Sequence, residues 1–439
     1  MRQEYTGESL CNKKIGGVKV RKNVIVLCVI LSLVICLVAG SILGAGQKVK
    51  LSLWGWFDWQ PTVSEFMKLN PDIEVEYVQM GPWDLHDKFL VTLVTGQGAP
   101  DIVTLVQARY SVYSSTKQLV DLTTMIGGET SKFDRGALDT VMFQQHIYGL
   151  PTDIQPTVIY YRKDLFAAAG IDANKIVTWD DFINAGLRLR ADKECYMFPL
   201  FIPSGMWGSY WFMMYLASRG VNLWAEDGSV IRDNKLAEQT FQWYVDISKK
   251  FKLVLESPWA SPSFWMAIKE NKVAAIPFNT ADSILLKQQV PEQSGKWGVM
   301  PWPLWDKNAP KLCGVLGGSA IGIPRQSKYP AEAWKFVKFA TTNTKGLKKN
   351  WEGAGLYPAY KSAKSQVRQG DPYFSGDSIA QNVEKRVFPS FRFINYAETA
   401  IPIGEAIDAA YGGQKTPQQA WHDLIEALVK IGPGKYYNK

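Results

Sequence analysis

Histidine and cysteine are scarce in this 439-residue chain, and their scarcity excludes several kinds of site. The three histidines, His86, His146 and His422, are widely spaced, which argues against a histidine-rich metal site. Three of the five cysteines precede residue 37, so the remainder of the chain holds only Cys195 and Cys313, and no CxxC pair occurs. The sequence therefore gives no support to a disulfide framework, a zinc site or thiol redox chemistry.

Motifs of the common catalytic and nucleotide-binding classes are also missing. The sequence contains no P-loop, no HExxH and no GxGxxG after a strand-like segment, so it implies no cofactor. The segment 317–321 lacks the final glycine of a nucleophile elbow. A glycosidase needs only two carboxylates, which need not be neighbours in the sequence, so this class of enzyme stays open.

The excess of positive charge is small once the amino terminus is set aside. The formal net charge is +8, and residues 1–46 contribute half of it through six basic and two acidic side chains. The remaining +4 is spread over residues 47–439. Such a weak excess does not indicate a nucleic-acid-binding protein.

Residues 24–43 contain no charged side chain and follow a basic cluster that ends at Arg21 and Lys22. This order, with small residues at 44–46, predicts an export signal, and the run is also long enough to cross a bilayer if it is retained. Position 45 is alanine where a lipoprotein signal would place cysteine. Residues 1–46 are therefore expected to be an export signal or membrane anchor, and an uncleaved anchor, cleavage near Gly46 and an altered lipoprotein signal all stay open.

Strand-like and helix-like segments alternate after residue 47. Apolar and polar residues alternate over 49–53 and 73–77, whereas Leu85, Phe89 and Leu93 recur at helical spacing. Residues 102–106 form a short apolar run typical of a buried strand. This βαβαβ order predicts an α/β fold with a largely parallel sheet.

Tryptophan is abundant, and all 17 tryptophans follow residue 46. In an α/β sheet ligands bind beyond the carboxyl ends of the strands, and flat aromatic faces suit the apolar faces of sugar rings. Two aromatic groups are candidates for such a site, although core packing is the alternative for each ring. They are Trp54, Trp56, Asp58 and Trp59 after the first strand, and Trp207, Tyr210 and Trp211 in a later segment.

Short motifs in a characteristic order extend over nearly all of residues 47–439. They include GQGAPDI at 96–102, YGLP at 148–151, IYYRKDLF at 159–166, TWDDF at 178–182 and GLYPA at 355–359. With these motifs the chain resembles the extracellular solute-binding proteins of ABC importers, in the group that includes maltose-binding protein. The absent lipoprotein cysteine departs from the family pattern and bears on the mode of anchoring.

The resemblance implies a two-lobed α/β fold of the periplasmic-binding-protein type (type II), with hinge strands between the lobes. The first lobe would hold residues 47–153 and 319–352, and the second would hold 154–318 and 353–439. A sugar, expected to be an oligosaccharide, would bind in the cleft, the hinge would close, and an ABC permease would receive it. The implied protein is a monomer at the extracellular face of the membrane or in the periplasm, with no nucleic-acid partner and no catalytic activity. A secreted carbohydrate-active enzyme with a carboxylate pair is the alternative.

The resemblance also assigns positions to the binding site. Asn279 stands where relatives often carry an aromatic residue, so this chain has an amide there in place of a ring. Trp56 and Trp211 are expected on opposite lobes, where each would give a sugar ring an apolar platform. The assigned residues are Trp54, Trp56, Asp58, Gln107, Arg109, Asp153, Trp207, Tyr210, Trp211, Asn279, Tyr357 and Arg392.

Overall fold

The computed structural model describes residues 48–192, 195–202, 204–225, 228–389 and 396–432. The predicted export segment and Arg392 therefore lie outside the described residues, as does the side chain of Trp207. Within the described ranges, no helix combines the length and the hydropathy that crossing a membrane requires.

The helices and strands follow each other in the mixed order that the sequence predicts. The strands are β1 (Val49–Gly55), β2 (Ile73–Gln79), β3 (Ile102–Val106), β4 (Met142–Phe143), β5 (His146–Ile147), β6 (Leu150–Pro151), β7 (Asp153–Ile154), β8 (Thr157–Arg162), β9 (Phe198–Phe201), β10 (Val254–Ser257), β11 (Ala275–Asn279), β12 (Trp297–Pro301), β13 (Ser319–Gly322) and β14 (Tyr357–Pro358). The helices are α1 (Gln60–Leu69), α2 (Pro82–Thr95), α3 (Tyr110–Ser115), α4 (Thr123–Ile126), α5 (Arg135–Thr140), α6 (Lys163–Ala168), α7 (Trp179–Asp192), α8 (Gly205–Ser218), α9 (Lys235–Lys249), α10 (Pro262–Lys269), α11 (Asp282–Gln289), α12 (Pro330–Thr342), α13 (Thr344–Ala354), α14 (Ile379–Glu384), α15 (Tyr396–Tyr411) and α16 (Pro417–Ile431).

The first sheet has the strand order β2-β1-β3-β13-β6 in the described part of the chain. The strands β2, β1 and β3 run parallel, with Leu53 opposite both Tyr77 and Ile102, as expected for successive βαβ units. The strand β13 runs antiparallel to β3 and to β6, so the sheet is mixed rather than largely parallel. The reason is that β13 enters this sheet late in the chain, after the strands of the second sheet, instead of through a further right-handed crossover.

The second sheet has the order β11-β8-β12 and is antiparallel throughout. Its central strand β8 is buried along most of its length, because helices and neighbouring segments cover both of its faces. The short parallel pair β9 and β10 lies beside it. A reciprocal cap starts the helix α7: the side chains of Thr178 and Asp181 accept each other's backbone N–H groups at 3.2 and 2.9 Å.

Three chain segments connect the two sheets. The backbone of Gln155 pairs with Gly317 and Leu316, and β7 pairs with β14. Gly317 has a φ of 81°, a conformation that favours glycine. A Cβ atom on Gly318 would lie 2.5 Å from the carbonyl oxygen of Asp153, so only glycine lets these two segments approach so closely.

Candidate functional site

A cavity of about 690 Å3 lies between the two sheets, where β1, β2, β10 and β11 end. Its position follows the rule that ligand sites in α/β sheets form beyond the carboxyl ends of strands, and its volume is in the range of small-ligand pockets. Aromatic and polar residues make up much of its lining. They include Trp56, Asp58, Gln79, Trp83, Gln155, Tyr210, Trp211, Trp259, Asn279, Asp282, Gln288 and Ser319.

Two tryptophans form the wall on the side of the first sheet. Trp56 follows β1 and Trp83 opens α2, and their rings lie 6.1 and 6.0 Å from the ring of the buried His86. The Nε2 atom of His86 accepts a hydrogen bond from the backbone of Val106, so Nδ1 carries the proton toward the hydroxyl of Tyr113. Burial lowers the pKa of His86 to about 3, which keeps this imidazole neutral beneath both rings.

Arg109 supports this wall from behind Trp83. Its guanidinium carbon lies 4.7 Å from the centroid of the Trp83 ring, in cation–π geometry. The positive charge of Arg109 also contributes to the low pKa of His86. Arg109, which the resemblance assigned to the site, is thus placed next to a residue of the cavity wall and does not itself line the cavity.

The opposite wall belongs to an aromatic cluster of the second sheet. The ring of Trp211 lies 5.1 Å from Phe201 and 5.6 Å from Trp259, and Trp259 meets Phe278 edge-on at 5.0 Å. Trp211 is only 4% exposed, whereas Trp259 is half-buried. Trp211 therefore lines the cavity and belongs to the hydrophobic core at the same time.

A polar pair sits at the start of α11. The Oδ1 atom of Asn279 accepts the N–H of Asp282 at 3.1 Å, and the carboxyl of Asp282 accepts the N–H of Asn279 at 3.4 Å. Asp282 is 8% exposed, and burial raises the pKa of its carboxyl to about 7. Asp58, across the cavity, is exposed and accepts the N–H of Gln60.

Gln107 and Asp153 lie under the cavity floor instead of facing the cavity. The amide Nε2 of Gln107 donates to the backbone carbonyls of Asp153 and Ser319 at 2.9 and 3.2 Å. One carboxyl oxygen of Asp153 accepts from the hydroxyl of Thr152 and from the N–H of Ser319. Burial raises the pKa of Asp153 to about 6, and both side chains tie the connecting segments together.

The remaining assigned residues are placed elsewhere or lie outside the described residues. Trp54 is still part of β1, is buried, and carries the ammonium of Lys88 over its ring at 4.2 Å. Tyr357 is fully buried and its hydroxyl donates to Glu384 at 3.2 Å. Neither residue lines the cavity.

The cavity-wall residues that sequence reasoning missed include Trp83, Trp259 and Asp282, as well as Gln79, Gln155, Gln288 and Ser319. Trp83 and Trp259 each follow a strand that ends at the cavity, as Trp56 does, so the strand-end rule could have found them. Asp282 is three residues after Asn279 and is the first residue of α11, but no local pattern indicates that its carboxyl is buried.

The scarce histidines and cysteines form no metal centre in the part of the chain that the structure describes. No group of three or more His, Cys, Asp or Glu side chains is placed there to hold an ion. Cys195 and Cys313 are both buried and are not bonded to each other. His146 pairs at 2.6 Å with Asp121, away from the cavity.

Comparison with known proteins matches most of the chain. A family model described as bacterial extracellular solute-binding protein matches residues 58–346. An arabinooligosaccharide-binding protein of Bacillus subtilis (strain 168) is 26% identical over 420 residues, which cover 90% of this chain and 96% of the relative. A protein of the same description from Halalkalibacterium halodurans is 24% identical over 324 residues, covering 72% of this chain and 69% of the relative.

Solved structures confirm the predicted two-lobed α/β fold. The galacto-N-biose/lacto-N-biose I-binding protein of an ABC transporter from Bifidobacterium longum superimposes with a TM-score of 0.73 at 22% identity, over 88% of this chain and 97% of that one. A solute-binding protein from Thermotoga lettingae, solved with alpha-D-tagatose, has a TM-score of 0.73 at 20% identity, over 88% of this chain and 100% of that one.

Proposed function

Because the chain belongs to the bacterial extracellular solute-binding proteins, we propose that it captures a carbohydrate outside the cell and delivers it to an ABC permease. One observation carries this proposal: tryptophans from both sheets face one cavity, Trp56 and Trp83 on one side and Trp211 and Trp259 on the other. The relatives that bind arabinooligosaccharides support an oligosaccharide as the ligand.

The chemistry of the cavity suits the two kinds of surface that a sugar presents. The apolar C–H faces of a sugar ring pack on flat indole rings, while its hydroxyls need donors and acceptors. Gln79, Gln155, Asn279 and Gln288 supply both functions around the tryptophans, since each amide carries a donor and an acceptor. Binding is therefore expected to be non-covalent and to need no cofactor.

A panel of sugars tests the ligand class. We expect α-1,5-arabinotriose, α-1,4-galactobiose or maltotriose to raise the melting temperature, since a ligand at 100 times its dissociation constant stabilises a protein by about 2.7 kcal/mol. No shift with any sugar of a broad panel would contradict the proposal.

Non-covalent capture also separates this function from that of a secreted glycosidase. The relatives are binding proteins, which supports capture over hydrolysis. Labelled arabinotriose should be recovered intact after long incubation with an excess of the protein. Release of shorter labelled products would favour the enzyme instead.

Trp56 gives the sharpest test of the cavity as the sugar site. Changing Trp56 to alanine removes on the order of 100 Å2 of apolar platform, which at roughly 25 cal/mol per Å2 weakens binding by about 2–3 kcal/mol. The dissociation constant, measured by calorimetry with the sugar that shifts the melting temperature most, should rise about a hundredfold.

The matched control is Trp334→Ala, which removes a half-buried tryptophan of α12 that does not line the cavity. This variant should bind as tightly as the wild type. An unchanged affinity in Trp56→Ala, or an equal loss in both variants, would move the site away from this cavity.

We further propose that residues 47–153 and 319–352 form one lobe, that 154–318 and 353–439 form the other, and that a sugar closes them. The division is supported by the sheets, because β13 pairs in the first sheet and β12 in the second. Small-angle scattering should show one chain per particle and a smaller radius of gyration with saturating sugar. An unchanged radius would argue against closure, and a doubled mass would argue against a monomer.

For residues 1–46 we propose an export signal that leaves the protein at the outer face of the membrane or in the periplasm. The basic cluster followed by the charge-free run 24–43 supports export, and the family is extracellular. If the run is retained, the full-length protein should partition with membranes while a chain starting at Gln47 stays soluble. A mature amino terminus at residue 47 would show cleavage instead.

A further inference from the structure

The charged side chains that line the cavity carry one sign. Among the residues that the structure describes, these side chains are Asp58 and Asp282. The guanidinium of Arg109 lies over the ring of Trp83, and Arg109 is not part of the lining. A ligand that enters this cavity therefore meets carboxylates and no described cation.

We infer that the site selects sugars by charge: it takes neutral oligosaccharides and excludes sugars that carry a carboxylate or phosphate group, with Asp282 as the discriminating residue. This inference rests on the proposed function and adds the ligand class to it. It follows from the position of the Asp282 carboxyl, which lies in the cavity wall with 8% of the residue exposed.

The buried carboxyl repels an anionic sugar far more than the exposed one does. A like charge brought within roughly 6 Å of a carboxylate, at an effective dielectric constant of about 20, weakens binding about a hundredfold. Asp58 is exposed, so water and salt screen its field. The carboxyl of Asp153 adds further negative charge beneath the cavity floor, where it accepts the backbone N–H of Ser319.

A neutral sugar gains a partner at the same place. Within the described part of the chain, the carboxyl of Asp282 accepts one long hydrogen bond, the 3.4 Å contact with the N–H of Asn279. A carboxylate offers about four acceptor positions, so this group can accept hydroxyls of a neutral sugar that it would repel as an acid. The same side chain therefore favours one ligand class and disfavours the other.

Two pairs of sugars that differ in charge test this selection: α-1,5-arabinotriose with arabinotrionic acid, and α-1,4-galactobiose with α-1,4-digalacturonate. Calorimetric titrations at pH 8 should show that each acid binds the wild type about a hundredfold more weakly than its neutral partner, for whichever pair binds. In Asp282→Asn, which keeps the shape and an acceptor oxygen, the two members of that pair should bind within about tenfold of each other.

The control is Asp58→Asn, which should leave the hundredfold gap in place because the Asp58 carboxyl is screened. An acid that binds the wild type as tightly as its neutral partner would overturn the charge selection and leave the sugar-binding function standing. A gap that survives in Asp282→Asn would overturn the role of Asp282. No binding by any of the four sugars would count against the proposed function and this inference together.

Discussion

Replacing Trp211 with alanine is expected to lower the free energy of unfolding by about 3–5 kcal/mol, as well as to weaken sugar binding. The reason is its double environment, because the ring lines the cavity and also packs against Phe201, Trp259 and Phe278. Trp211 is only 4% exposed, so its truncation would leave a void in the aromatic cluster. A void in a close-packed core lowers the stability of the fold. Urea unfolding without ligand measures the loss directly.

Trp56→Ala is the matched control for Trp211→Ala, since Trp56 lines the same cavity but is only half-buried. It should lose affinity while its free energy of unfolding stays within about 1 kcal/mol of the wild type. If Trp211→Ala unfolds at the same urea concentration as the wild type, the ring contributes to the site alone. That outcome would support the sequence-based expectation that both tryptophans act as platforms and contradict the structure-based one.

The exposure of Trp211 could not be predicted because α8 is apolar on every side. Residues 208–218 are all buried, so no periodic pattern distinguishes a ring that faces the cavity from one that faces the core. By contrast, the alternation in β1 and β2 and the four-residue spacing of Leu85, Phe89 and Leu93 in α2 are local features, so these elements were predictable. The position of a ring in a continuous apolar helix depends on partners that are distant in the sequence.

The strand β1 shows, within a few residues, the same contrast between local structure that the sequence pattern predicts and tertiary contacts that it does not. Its alternating pattern predicts a strand, and the strand is observed at Val49–Gly55. The pattern does not say where the strand stops, and this endpoint decides the roles of two tryptophans. Trp54 is inside the strand and packs within the fold, whereas Trp56 lies beyond its end and reaches the cavity. Strand ends are set by pairing with β2 and β3, which are non-local contacts.

Residues that meet at the site from distant parts of the chain could not be predicted from local sequence patterns. Ser319 lines the floor and is held from beneath by Asp153 of β7 and by Gln107, which is more than 200 residues away from Ser319 in the sequence. Gln107 and Asp153 were assigned by resemblance as ligand contacts, and they lie where they hold the connecting segments under the cavity. Their hydrogen bonds fix the floor on which a sugar would rest, which makes them positioning residues in the proposed site.

Asp282 gives the second large effect, a dependence of stability on pH that Asp282→Asn should remove. The folded state raises the pKa of this carboxyl from 3.8 to about 7, so folding favours its protonated form. The protonated carboxyl is stable in the fold below about pH 4, and that contribution is lost as the pH rises through about 7, where the carboxyl must ionise while buried. A shift of this size corresponds to about 4 kcal/mol at pH 8.

The free energy of unfolding of Asp282→Asn should therefore equal that of the wild type within about 1 kcal/mol at pH 4 and exceed it by up to about 4 kcal/mol at pH 8. Carboxyls such as Asp121, whose pKa is lowered, oppose this trend in the wild type, but they are the same in both proteins and cancel in the difference. Asp153→Asn should show a smaller gain that develops by about pH 6, because its pKa is raised less. Urea unfolding of the three proteins between pH 4 and pH 8, without sugar, gives the differences directly. A difference in unfolding free energy between Asp282→Asn and the wild type that does not change with pH would mean that burial does not destabilise the ionised carboxyl of Asp282. The charge selection proposed above would then lose its main support.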